Sequence, residues 1–146
     1  MAAQPVHVLL VEDDEIDAEA VQRAFAELKI TNPITRASDG YEAFDRLRGE
    51  NGCERLPRPY IILLDLNLPR MNGLEFLRQL RTDKELKSSV VFVLTTSRDE
   101  QDMVAAYNLQ VAGYFLKTAV GEGFFNLPRM METYWRIVEF PANWPQ

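Results

Sequence analysis

One cysteine in 146 residues, Cys53, rules out an internal disulfide and fits a reducing compartment. The single histidine, His7, sits inside an apolar stretch and reads as structural. Basic residues are few: 16 Lys and Arg against 22 Asp and Glu leave a net charge of −6. Displacing counterions from phosphates takes a basic surface, so the chain is not expected to bind nucleic acid. No apolar run approaches the roughly 18–20 residues of a membrane span. Residues Met1 to Val6 lack the basic start and long apolar core of a signal peptide. A cytoplasmic protein without membrane partners is the expectation. There is no internal repeat and no low-complexity linker, and the length suits one domain over 1–146.

What the sequence does have is acid in one place. Glu12, Asp13, Asp14, Glu15, Asp17 and Glu19 crowd a single stretch. It follows Val6–Val11, an apolar run that reads as a buried strand. A helical period comes next, through Ile16, Ala20, Val21, Ala24, Phe25 and Leu28. Asp13 or Asp14 can cap that helix, and acids in its first turn suit the dipole. Glu15, Asp17 and Glu19 then read as a solvated helix face.

The same alternation continues along the chain. Strands are expected at Pro33–Ala37, Tyr60–Leu64, Val90–Leu94 and Gly113–Leu116. Between them, helices are marked by Ala43, Phe44 and Leu47, by Leu74, Phe76, Leu77 and Leu80, and by Met103, Val104, Tyr107 and Leu109. A last helix carries Leu127, Met130, Met131, Tyr134, Ile137 and Val138, and Gly49–Pro59 is a loop. Strands alternating with helices imply an α/β fold, a doubly wound parallel sheet with helices on both faces. Ligands of such folds bind beyond the carboxyl ends of the strands. Here those ends carry Glu12 and Asp13, Asp65, Thr95, and Lys117.

These groups make a coherent chemical set. Clustered carboxylates repel one another unless a cation relieves them, and oxygen donors with retained water suit Mg2+. Asp65 can be both ligand and nucleophile, forming an aspartyl phosphate. Thr95 can donate to a phosphoryl oxygen, and Lys117 can place a compact positive charge beside it.

Four segments carry a resemblance: Val-Leu-Leu-Val-Glu-Asp-Asp (8–14), Ile-Leu-Leu-Asp-Leu-Asn-Leu-Pro (62–69) with Met71-Asn72-Gly73, Val-Leu-Thr-Thr-Ser (93–97), and Gly-Tyr-Phe-Leu-Lys (113–117). In this order, over nearly the whole chain, they resemble the receiver domain of two-component response regulators. The resemblance implies a flavodoxin-like (βα)5 fold with strand order 2-1-3-4-5. It makes Asp65 the phosphoacceptor, with Mg2+ held by Asp13, Asp65 and the Asn67 backbone carbonyl, and by Glu12 through water. It makes Thr95 the switch hydroxyl, Lys117 the phosphate-binding lysine and Tyr114 the aromatic switch, while Asn67 and Ser97 occupy positions that tune hydrolysis. The donor it implies is a phosphohistidine on a sensor histidine kinase. With no output segment after the receiver, the expected output is a protein interaction rather than an enzymatic activity.

Three features stand apart. Thr118 follows Lys117 where many receivers have proline, so a cis bond is not favoured there. Gly121, Gly123 and Pro128 blur the start of the last helix. The segment Tyr134–Pro141, with Trp144 beyond, exceeds a minimal receiver, and 139–146 reads as an aromatic and proline tail. With the long loop before Tyr60 and the Lys-Thr pair, it is similar to the single-domain regulators that partner bacterial phytochromes. Trp135 and Phe140 either pack on the domain itself or serve a homodimer through the fourth-helix, fifth-strand and fifth-helix face. Two other readings remain at this level. One is a haloacid-dehalogenase-like phosphatase, against which stand Asp65 on the third strand, Asn67 where an acid is wanted, and the lack of a cap insertion. The other is an unphosphorylated scaffold, which the retention of every reactive group disfavours.

Overall fold

The valine- and leucine-rich runs become strands buried on both faces. In the computed structural model, which describes residues 5–119 and 124–141, β1 spans His7–Val11, β3 Tyr60–Leu64 and β4 Val90–Thr95. Every residue of β3 is buried, as a central parallel strand requires. The half-buried β2 (Ile34–Ala37) and β5 (Gly113–Leu116) form the edges, and the sheet order is 2-1-3-4-5. All pairings are parallel, with Val11 opposite Ala37 on one side and Leu64 on the other.

Alternation along the strands builds two cores. Leu9, Val11, Ile62, Leu64, Val91 and Val93 face the helices α2 (Gly40–Arg48), α3 (Gly73–Thr82) and α4 (Glu100–Asn108). Val8, Leu10, Ile61, Leu63, Phe92 and Leu94 face α1 (Glu15–Glu27) and α5 (Asn126–Ile137). Pro128 is buried in the first turn of α5, where its missing N–H breaks no helical hydrogen bond. Among the described residues the cis peptide bond is Arg58–Pro59, so Lys117–Thr118 is trans.

Three apolar signals do not mark buried faces, and one of them is Ile137, 77% exposed at the end of α5. Ile16 is 78% exposed, because Asp14 caps α1 and turns Ala18 and Val21 inward instead. In α4 the buried residue is Ala106, while Val104 and Tyr107 point to solvent. Trp135, by contrast, stacks on Phe25 with ring centroids 6.5 Å apart, and Phe140 packs on the same core. Both therefore serve the domain's own interior. Trp144, Gly121 and Gly123 lie outside the described residues.

Candidate functional site

The chain runs from β1 to β2 on one side and later places β3 on the other, so a crevice opens between the carboxyl ends of β1 and β3. Ladder hydrogen bonds run straight into it. The Glu12 amide donates to Ala37 O at 2.9 Å, the Asp65 amide to Val11 O at 3.0 Å, and the Lys117 amide to Thr95 O at 2.9 Å. The backbones of Glu12, Asp65 and Lys117 are thus held by the sheet. Gly73 adds a steric condition: a Cβ there would lie 2.6 Å from the Asp65 carbonyl oxygen and from Leu66 Cα. Only glycine lets α3 start this close to the end of β3.

Glu12, Asp13 and Asp65 each present a carboxylate oxygen, all within 4.8 Å of one another. Glu12 and Asp65 are buried, whereas Asp13 is exposed. Burial pushes the Glu12 carboxyl up to about 7, and nearby Asp65 adds to the rise that Lys117 opposes. Such a set fits a small hard cation: the donors are oxygens, one face is open, and the crowded charge calls for relief. Lys117 partly provides that relief. Its ammonium lies 2.8 Å from Glu12 Oε1 and 3.1 Å from Asp65 Oδ2. Burial alone would lower the lysine, but contacts with Asp17, Glu12 and Asp65 outweigh it and raise the pKa.

Asp65 Oδ1 accepts from the Asn67 amide at 3.1 Å. The exposed Asn67 side chain reaches toward Thr95 Oγ1 at 3.5 Å and Thr96 Oγ1 at 3.3 Å. Thr95 is fully buried, and its hydroxyl oxygen accepts from the Ser97 amide at 3.3 Å. Half-buried Tyr114 donates its hydroxyl to Ser97 O at 2.9 Å, and burial raises its pKa. Glu12, Asp13, Asp65 and Lys117 therefore converge as the sequence implies, and Thr95 and Tyr114 join them through Asn67 and Ser97. His7 stays half-buried in β1, where desolvation lowers its pKa, and Cys53 is a free thiol away from the site.

Two residues were not legible as site residues. Asp17, expected on a solvated face, instead accepts from the Lys117 ammonium at 2.6 Å. It lies one helical turn beyond Asp13, and the Asp14 cap, whose carboxylate takes the Ile16 and Asp17 amides, fixes that turn toward the crevice. Glu15 and Glu19 are exposed as expected. Arg36, on β2, donates to Glu12 O and Asp13 O, both at 3.0 Å, and so pins the acidic loop from behind. The β2–β1 pairing that brings it there is the one signal in the sequence that points to it.

A five-stranded sheet in this order, with acids ending β1 and β3 and lysine ending β5, defines a flavodoxin-like α/β domain working at its carboxyl edge. Comparison with known proteins names the family: residues 8–124 match the response regulator receiver domain, and the chain belongs to that family. It is accordingly a signalling domain of two-component systems, a family in which phosphorylation falls on an aspartate. Response regulator Rcp1 of Synechocystis sp. is 37% identical over 139 residues, which are 94% of this chain and 95% of that protein. The Mn2+-bound form of Rcp1 has a TM-score of 0.82, with 94% of this chain and 100% of the other covered. The phosphorylated cyanobacterial phytochrome response regulator RcpA also gives 0.82, at 34% identity over 94% and 98% of the two chains. The bacteriophytochrome response regulator AtBRR gives 0.73, at 30% identity over 97% and 100%. Among the described residues no helix is long and apolar enough to cross a membrane.

Proposed function

We propose that the protein accepts a phosphoryl group on Asp65 from a phosphohistidine of a sensor histidine kinase and passes the signal on by protein–protein interaction. The observation that carries this reading is the Lys117 ammonium 3.1 Å from Asp65 Oδ2 in a buried acidic crevice. An Asp65 carboxylate oxygen forms the new bond to phosphorus as the P–N bond to the donor imidazole breaks, and the leaving nitrogen takes up a proton. Lys117 offers an N–H to the transferred oxygens, and Thr95 offers its hydroxyl to another. Asp13, Asp65 and the Asn67 carbonyl are the residues that would hold Mg2+ directly, with Glu12 acting through water. When bound, the ion supplies charge neutralisation for the incoming phosphoryl group. The Mn2+-bound form of Rcp1 supports a divalent-cation site of this kind.

Phosphorylation adds up to about two negative charges at Asp65. Thr95 and Lys117 respond to that charge, and Tyr114, tied to Ser97 O, transmits the loop movement toward α4 and β5. The exposed Val104 and Tyr107 on α4 suit a homodimer through the α4, β5 and α5 face. Relatives described as phytochrome response regulators support a phytochrome-type kinase as the partner. One free cysteine fits a cytoplasmic setting. Incubation with Mg2+ and phosphorylated kinase, followed by intact mass and size-exclusion analysis, tests the reading. Transfer of one phosphoryl group with an altered oligomeric state is expected; no transfer from any histidine kinase would refute it.

A further inference from the structure

Lys117 meets three carboxylates, and its shortest contact is not with the phosphoacceptor. The ammonium lies 2.6 Å from Asp17, 2.8 Å from Glu12 and 3.1 Å from Asp65. A lysine ammonium has three N–H donors on a flexible four-carbon stem. Glu12 and Asp65 come from the carboxyl ends of β1 and β3, whereas Asp17 comes from α1, and its side chain is 27% exposed against 2% for Glu12 and 6% for Asp65. Without Asp17 two partners remain, and the third donor is free to turn toward solvent.

We propose that Asp17 is a positioning residue that fixes the Lys117 ammonium so that its remaining N–H is aimed at Asp65 and at the phosphoryl oxygens it acquires. The Asp17 carboxylate meets the Lys117 ammonium and acts through it. This deepens the proposed function and rests on it for its kinetic consequence, though not for its structural one.

The test has two arms. In metal-free protein, the 15N-detected side-chain ammonium of Lys117 exchanges slowly with water in the wild type and is broadened away in Asp17→Asn. With Mg2+ and a small phosphodonor, Asp17→Asn takes up phosphoryl about tenfold more slowly, a rise of about 1.4 kcal/mol in the barrier. Asp17→Glu, which keeps the charge, recovers most of the rate. In a Lys117→Met background, Asp17→Asn has no further effect. An unchanged or faster Asp17→Asn rate with an intact ammonium signal overturns the proposal. So does the same tenfold loss in the Lys117→Met background, which would mean that Asp17 acts on the site charge directly. A wild type that takes up no phosphoryl group refutes the proposed function instead, and the ammonium signal then decides the role of Asp17.

Discussion

The Tyr114 hydroxyl donates to the Ser97 carbonyl at 2.9 Å, tying the edge strand β5 to the loop that follows Thr95. The same Ser97 offers its amide to Thr95 Oγ1 and its hydroxyl to Asp102 on α4, at 3.3 and 2.7 Å. If Asp65 is phosphorylated as proposed, a shift of Thr95 toward it pulls on a residue that three elements share.

Tyr114→Phe removes one hydrogen bond from this junction and is expected to cost about 1 kcal/mol of stability. Phosphoryl uptake from a small donor stays within about threefold of wild type. The phosphorylation-induced backbone shifts of α4 and β5, followed by NMR, shrink. Undiminished shifts would show that the hydroxyl carries no coupling.

Mg2+ affinity should depend on pH through Glu12. Its carboxyl is raised from 4.5 to about 7, chiefly by burial, so folding favours its neutral form. In metal-free protein that stabilisation is present below about 4.5 and is lost as pH rises through about 7. A cation favours the ionised form, so its affinity falls by up to about tenfold per pH unit below 7. Calorimetric titration at pH 5.5 and 7.5 checks this. Glu12→Gln should flatten the difference, and an equally steep profile in that variant would remove Glu12 from the site.

Gly73→Ala places a methyl group against the Asp65 carbonyl and Leu66. Because those neighbours are backbone, the variant is expected to lose about 1–3 kcal/mol in denaturant unfolding. Gly52→Ala, with open space but a positive φ, serves as the comparison for backbone strain alone. Equal losses would mean that crowding at Asp65 is not the cause.

Those contacts also show what the sequence made legible. Strand-end positions of Glu12, Asp65, Thr95 and Lys117 follow from short β-prone runs ending in polar residues, because a central parallel strand is buried on both faces. Asp17 escaped because a one-residue shift of the helix start, about 100° of rotation, decides whether an N-terminal helix residue meets solvent or the sheet edge. That rotation depends on whether Asp13 or Asp14 caps α1. Arg36 escaped because its contacts are with backbone carbonyls, which carry no residue signature. In α4, Val104 and Tyr107 have the spacing of a buried face, but Ala106 lets the helix sit on its small side.

Trp135 packs on Phe25 within one chain. Trp135→Ala is accordingly expected to lower stability by about 2 kcal/mol, with the same loss at low and high protein concentration. A loss that appears only at high concentration would assign the ring to an interface between copies.

Asp65 is the proposed phosphoacceptor, and one experiment bears on that role. Its most direct form is intact-mass analysis after incubation with Mg2+ and a small phosphodonor, comparing wild type with Asp65→Asn. The wild type should gain one base-labile phosphoryl group and the variant none. Equal labelling of the two, or a phosphoryl group that survives base, would contradict it.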